Sequence, residues 1–474
     1  MPAPINCVCI TETISLIQIT MAHDYDDRTS AETRTLLDFV SGTSPDEIPG
    51  DVLHESTRCL LDHVGLAIAG ASEPAASIAR EQCRLLGGEP QATALGTREK
   101  LRATDAALVN GIACHALDFD DTHVPTILHP TTPLYSAGTA LAEWRGSRGI
   151  DLLAAHALGY ELSARVSNAL YPEHYDAGWH MTGTTGALAS ATVAIRLLGL
   201  QGITAAHCLS IAATQASGHR EQFGTMTKPF HAGHAASAGV WAGLLAAGGF
   251  TGAPDPLQGR RAMFAVMSSA STPADLVDGL GERWQIFDNG VKPYACGVVI
   301  HPAVDAVRDL AVRKGLTADR IDSIKLHVHP LVRELTGKTD PRTGLEGKFS
   351  VTFACAIALL DGRAGEREFS DTAVYRDDVR EVMAKIEVLP DPEVPHTQAG
   401  ATALTTDGET VKTWVDHARG TPGNRLTDDE LKEKFHGLAD DVIGHDRAEK
   451  LAAAVFSIKD AATVDSMLEL TTPD

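Results

Sequence analysis

Apolar residues recur at three- and four-residue intervals through most of the first half of the chain, the spacing that lines one face of an α-helix. The pattern predicts helices over 52–69, 134–142, 152–169, 186–198 and 232–247, and Ser44-Pro45-Asp46-Glu47 has the form of a helix start. The later segments are rich in Ala, Gly and Ser, which points to closely packed helix axes. After about residue 284 the period changes. Residues 322–328 (DSIKLHV) and 385–389 (KIEVL) alternate apolar and polar positions, as half-buried strands do. Two extended runs, 401–404 and 410–415, flank Asp407-Gly408, a hairpin-turn dipeptide. Residues 350–360 read as one buried helix, and Thr427-Asp428-Asp429-Glu430 has capping-box spacing at a return to helix.

The expected fold is therefore mainly α with an α+β insertion. Residues 1–30 are expected to form a disordered extension, 31–284 a large all-helical domain, 285–423 a smaller α+β lid, and 424–474 a C-terminal return to helix. No fixed-period repeat or low-complexity tract breaks this order.

Composition narrows the function classes. The 474 residues are 44% hydrophobic, 22% charged and only 5% aromatic, a globular make-up suited to packed helices. With 40 Lys+Arg against 62 Asp+Glu, the net charge of −22 repels nucleic acid and anionic membranes, and no basic run offsets it. A small anionic substrate would need a local pocket of Lys, Arg and His. The eight cysteines are scattered and lack paired zinc spacing, so reduced intracellular thiols are expected; Cys7 and Cys9 are the only close pair. The first 27 residues hold no Lys or Arg, which suits neither a secretory signal nor a transit peptide. No apolar run reaches membrane-spanning length. A cytoplasmic protein is expected, with residues 1–20 an extension or a misassigned start before Met21.

Four clusters carry candidate chemistry. The densest is His115-Ala116-Leu117-Asp118-Phe119-Asp120-Asp121-Thr122-His123, followed by His129-Pro130. Three neighbouring carboxylates raise one another's pKa unless cations, hydrogen bonds or water compensate; a solvated acidic loop is the plain alternative. A Mg²⁺ reading through DxDD, as in prenyl-diphosphate chemistry, lacks a second motif and an aromatic cavity. Gly178-Trp179-His180 runs through Thr182-Gly183-Thr184-Thr185-Gly186 into a helix, whose first N–H groups would suit an anion. Lys228, beside Pro229, sits at the positive end of a helix, a conflict that an anion would relieve. Lys292-Pro293-Tyr294-Ala295-Cys296-Gly297 lies at the expected domain junction, with His301 beyond it. Cys296 is read as a small apolar residue. His327 and His329, placed on one strand face, are weak evidence for a metal, and no Walker A or dinucleotide glycine motif occurs.

Taken together, these segments resemble the MmgE/PrpD family, which includes 2-methylcitrate dehydratase, cis-aconitate decarboxylase and iminodisuccinate epimerase. The resemblance rests on LDFDDT at 117–122 with His129-Pro130, Gly178-Trp179-His180, Thr227-Lys228-Pro229, Lys292-Pro293-Tyr294, and GLEGKFS at 344–350. It implies a helical domain built from both chain ends, a smaller lid, a homodimer, and catalysis on small polycarboxylates without metal or organic cofactor. Asp118, Thr122, His129, His180 and Lys228 match the active-site positions of the decarboxylase branch. The lid histidine of animal decarboxylases falls at Gly297, with His301 the candidate substitute, and the Ser-Asp-Asn of the dehydratase branch is replaced by Thr131-Thr132-Pro133.

The shared chemical difficulty is negative charge building up beside a carboxylate. Lys228, Lys292, His180 and the N–H groups near 183–186 would hold the substrate. His129 would move the proton, Asp118 would orient or balance an imidazole, and Thr122 would donate a hydrogen bond to substrate. Two other readings stay open: an isomerase using the same proton chemistry, and a non-enzymatic acidic helical module that binds partners.

Overall fold

Long helices carry the first part of the chain: α1 (Ala31–Gly42), α2 (Gly50–Gly70), α3 (Pro74–Leu86), α4 (Ala103–Ala116), α5 (Thr131–Arg145), α6 (Gly149–Leu170), α7 (Met181–Leu198), α8 (Gly202–Ala213) and α9 (Thr227–Ala247). This computed structural model describes residues 24–473. Most of the expected extension, with Cys7 and Cys9, lies outside the described residues, and Thr29 and Ser30 hydrogen-bond to Pro254 and Asp255.

The helices predicted from 186 and 232 start earlier, at Met181 and Thr227. Their first turns escape an apolar count because they bury polar residues. Thr184 and Thr185 are fully buried, with hydroxyls bonded back to the Met181 carbonyl at 3.2 and 3.0 Å. Ser44–Glu47 differs in another way: Pro45–Glu47 is a separate 3₁₀ turn closed by a capping box, and α2 begins after Pro49. The small residues do bring axes together. Where α4 meets α9, a Cβ added to Gly233 would lie 2.3 Å from the Leu108 carbonyl oxygen, so this crossing accepts no larger residue.

The later part holds a mixed four-stranded sheet. β1 (Ile321–Val328) is central, with β2 (Ile386–Pro390) parallel on one side and β3 (Ala399–Thr405) antiparallel on the other; β4 (Thr410–Val415) pairs with β3 across the predicted Asp407-Gly408 turn. Helix α10 (His301–Val312) lies against β3 and β4 and packs on α11 (Val351–Asp361). Ile324, Leu326 and Val328 of β1 are buried in the same core as Phe353 and Ile357. His329 does not continue the strand. It caps the short helix Pro330–Thr336, with its Nδ1 accepting from Leu331 N–H, so it shares no strand face with His327.

The final stretch returns to the helical part. Thr427 and Glu430 close the predicted capping box on α12 (Asp428–Ile443), which packs along α2. Gly65 of α2 makes room for Phe435, and Lys434 Nζ bonds buried Asp62 at 2.6 Å and the Phe119 carbonyl at 2.8 Å. The chain thus has a mostly helical N-terminal domain followed by a region with a mixed sheet. No helix among the described residues is long and apolar enough to cross a membrane.

Candidate active site

The loop between α4 and α5 is buried, not solvated. Asp118, Asp120 and Asp121 are 6%, 1% and 1% exposed, so three adjacent carboxylates must each find compensation inside the protein. They do so by facing different partners.

Asp118 adopts a left-handed backbone, φ 52°, that non-glycine residues seldom take. Three lysines from three parts of the chain secure that turn. Lys228, in the first turn of α9, places Nζ 2.6 Å from Asp118 Oδ1. Lys292 donates to the Asp118 carbonyl at 2.7 Å and approaches Oδ1 at 3.3 Å. Lys348 donates to the Leu117 carbonyl at 2.5 Å and to Glu366 at 2.7 Å. Burial opposes ionisation of Asp118, but the two ammonium groups prevail and hold its pKa well below the usual carboxylate range. The same carboxylate relieves Lys228 of its conflict with the α9 dipole. Asp118 therefore balances ammonium groups, not an imidazole as the sequence suggests.

Asp120 takes that second role. Its Oδ2 accepts from His115 Nδ1 at 2.8 Å and from the Thr132 hydroxyl at 2.6 Å, while Oδ1 lies 3.6 Å from His129 Nδ1. Burial pushes its pKa up, and the adjacent imidazoles pull it far below the ordinary value. Asp121 has no cation beside it. Burial raises its pKa to about 7, against hydrogen bonds from Thr131 and from the Asn289 amide at 2.7 Å.

His129 Nδ1 lies 2.8 Å from the Asp121 carbonyl and 3.3 Å from Thr122 Oγ1. A carbonyl only accepts, so Nδ1 carries the proton and Nε2 offers a lone pair. Burial lowers the His129 pKa to about 3, with Asp120 opposing. His180 caps α7, and its Nδ1 lies 3.0 Å from His231 Nδ1. Burial holds His180 well below the usual histidine range too. One nitrogen from each of His115, His129 and His180 lies within 4.8 Å of the others.

A cavity of about 780 Å³ opens at the junction of the helical and sheet-containing parts, and Asp118, His129, His180, Lys228 and Lys292 all line it. Gly297, where the resemblance leads one to expect a lid histidine, lines the same cavity. Two expected site residues stand apart from the lining. Thr122 is buried behind His129, and its strand residue pairs with Gly290. His301 is turned into the core, with Nε2 3.2 Å from the Cys296 carbonyl and its ring edge-on to Tyr294, so it does not face the cavity as expected. The expected N–H cradle also fails: the Gly183 and Thr184 N–H groups bond the His180 carbonyl at 2.9 and 3.2 Å.

Sequence reasoning missed several participants. Arg220 lines the cavity, stacks over Tyr175 at 3.9 Å and leaves its buried Nε without a partner among the described residues. His115, His231 and Lys348 lie inside segments that the sequence singles out, but the sequence gives none of them a role at the site.

Comparison with known proteins agrees with this architecture. Residues 34–275 match the MmgE/PrpD N-terminal domain and residues 294–459 the MmgE/PrpD C-terminal domain. The chain is 27% identical over 466 residues to a cis-aconitate decarboxylase-like protein, oryM, of Aspergillus oryzae, covering 92% of this chain and 96% of that one. It is 27% identical to a cis-aconitate decarboxylase of Aspergillus terreus over 93% of this chain and 96% of the relative. Against the human cis-aconitate decarboxylase it is 28% identical, over 90% and 92% of the two chains.

Proposed function

Because the chain belongs to the MmgE/PrpD family, we propose that it is a lyase acting on a small di- or tricarboxylate through its own imidazole and ammonium groups, without a cofactor. The observation that carries this reading is the meeting of Lys228, Lys292 and Arg220 with the neutral imidazoles of His129 and His180 around one cavity. Such a hollow suits a polyanion in a protein of net charge −22, and a non-enzymatic acidic module would have no need of it.

Decarboxylation leads among the lyase reactions, because the relatives named above bear that name. In this scheme Lys228, Lys292 and Arg220 hold the substrate carboxylates. The bond to one carboxyl carbon breaks, carbon dioxide leaves, and the electron pair spreads into the remaining unsaturated carboxylate. His129, made more basic by the arriving negative charge, takes up a proton and delivers it to carbon. Dehydration would use His129 in the opposite sense, as the base that removes a carbon-bound proton while an acid assists the departing hydroxyl. Epimerisation is a second reading, favoured by two neutral imidazoles, His129 and His180, with ring centroids 6.4 Å apart. These could flank a single carbon.

The test is a mass-spectrometric screen of 2-methylcitrate, citrate, cis-aconitate and iminodisuccinate with the purified protein in deuterated buffer. Loss of carbon dioxide or water supports the lyase and tells its kind. Deuterium uptake without mass loss supports the epimerase, and inertness toward all such acids overturns both. A homodimer is proposed on the same footing: α9 exposes Phe230 and Trp241, apolar surface of the kind that association covers, and sedimentation analysis checks it.

A further inference from the structure

We propose that His115, His129 and His180 also constitute a three-nitrogen site for a divalent cation of the zinc class, with its fourth position open to the cavity. Zinc-class ions favour neutral imidazole nitrogens in tetrahedral sets, and a ligating histidine characteristically donates its other N–H to a carboxylate, a carbonyl or a similar acceptor. Two of the rings have Nδ1 engaged in that way, and the third has Nδ1 in contact with a neighbouring imidazole. His115 Nδ1 bonds the Asp120 carboxylate at 2.8 Å, His129 Nδ1 the Asp121 carbonyl at 2.8 Å, and His180 Nδ1 lies 3.0 Å from His231. Their Nε2 atoms are left for a ligand.

A second observation points the same way. His115 Nε2 is buried and has no hydrogen-bond partner among the described residues, although the ring is held in place through Nδ1. An orphaned buried lone pair costs free energy that a bound ion would recover. One nitrogen of each ring already lies within 4.8 Å of one from each of the others, and a tetrahedral zinc site would draw the three ligating nitrogens to roughly 3.4 Å by ring rotation. The charge balance permits it. Asp118 and Asp120 together offset the two ammonium groups of Lys228 and Lys292, and Asp120 lies directly behind two of the ligand rings.

His129 and His180 line the cavity while His115 is buried beside them, so a position opening between the two lining rings would be taken by water or by a substrate carboxylate. A cation held there occupies the His129 lone pair, and it therefore acts as a reversible inhibitor of proton transfer. Only this last consequence rests on the function proposed above; the binding does not.

The exposed cluster His436, Asp440 and His445 is the rival site and must be controlled. Co²⁺, whose visible absorption reports tetrahedral nitrogen ligation, is titrated into the wild type, His445→Ala and His115→Ala. Expected are intense visible bands from one ion per chain that survive His445→Ala and lose at least tenfold in affinity in His115→Ala. Bands that vanish with His445→Ala, or are untouched by His115→Ala, overturn the site, as does the absence of bands. Circular dichroism checks that His115→Ala is folded. Should it not fold, anomalous scattering from a Zn²⁺-soaked wild-type crystal decides: a peak among His115, His129 and His180 supports the site, and a peak only at His445, or none, refutes it.

Discussion

Lys228 Nζ lies 2.6 Å from Asp118 Oδ1, so the cation best placed to receive a substrate carboxylate already holds an internal one. In the reaction proposed above, Asp118 would stand in for the substrate carboxylate. It keeps two buried ammonium groups, those of Lys228 and Lys292, from confronting each other in the empty cavity.

Asp118→Asn removes that stand-in. Breaking a buried ion pair from one side costs about 3–5 kcal/mol, and the variant should melt well below the wild type. A polycarboxylate such as citrate should raise the melting temperature of the variant more than that of the wild type. Equal shifts in a thermal-denaturation series would contradict the arrangement.

For His129→Ala, loss of the proton-transfer group predicts a fall in kcat of roughly 10²–10⁴-fold, with the Kd for a non-reacting polycarboxylate little changed. Steady-state kinetics and calorimetry make the comparison. A near-normal kcat removes His129 from the mechanism.

His63 on α2 carries a pH prediction. It is fully buried, neither ring nitrogen has a partner among the described residues, and burial lowers its pKa to about 3, with Asp120 opposing. Between about pH 6.5 and 3 the unfolded chain protonates this ring while the folded chain does not. The unfolded state then binds more protons, and stability falls as pH drops through that window. At pH 5 the loss from this one group is about 2 kcal/mol. His63→Phe should lose correspondingly less stability between pH 7.5 and 5 in urea denaturation. Comparing the two pH values within each protein cancels any packing cost of the larger ring, and parallel slopes would disprove the assignment.

Lys348 joins the sheet-containing part to the Asp118 turn through the Leu117 carbonyl. In Lys348→Met that carbonyl and Glu366 lose their donor, a cost of about 1–3 kcal/mol for each buried polar group left unpaired. Hydrogen–deuterium exchange over 115–122 should quicken, and KM should rise as the turn loosens. Unchanged protection there would show that the turn is held by Lys228 and Lys292 alone.

The helices at 52–69 and 152–169 were legible as long, largely apolar runs buried on most sides, the strand at 322–328 from its alternation, and the hairpin from the Asp407-Gly408 turn. The helix start at Met181 was not, since buried threonines and glycines mimic a loop, whereas Pro229 marked the start near Thr227 although the apolar period begins only at Ala232. The site divides along similar lines. Asp118, His129, His180, Lys228 and Lys292 were reached through recognisable local motifs. The exchange of roles between Asp118 and Asp120 was hidden, because it depends on which remote cation arrives at which carboxylate. Lys348 comes from 231 residues away, and no periodicity marks such a pairing. His301 was attractive for its position beside Gly297, yet the turn into α10 aims it at the Cys296 carbonyl.

The bond from Lys434 to the Phe119 carbonyl joins residues 315 positions apart. During synthesis at roughly 5–20 residues per second, the acidic loop waits on the order of 15–60 seconds for its last cation to leave the ribosome. Through that interval Asp62 lacks its ammonium partner, and a hydrated, open loop is the cheaper state. A nascent chain halted before α12 would therefore carry every residue of the cavity wall, with Lys228, Lys292 and Lys348 already able to reach the Asp118 turn, yet lack the ammonium group that backs Phe119 and Asp62 from behind.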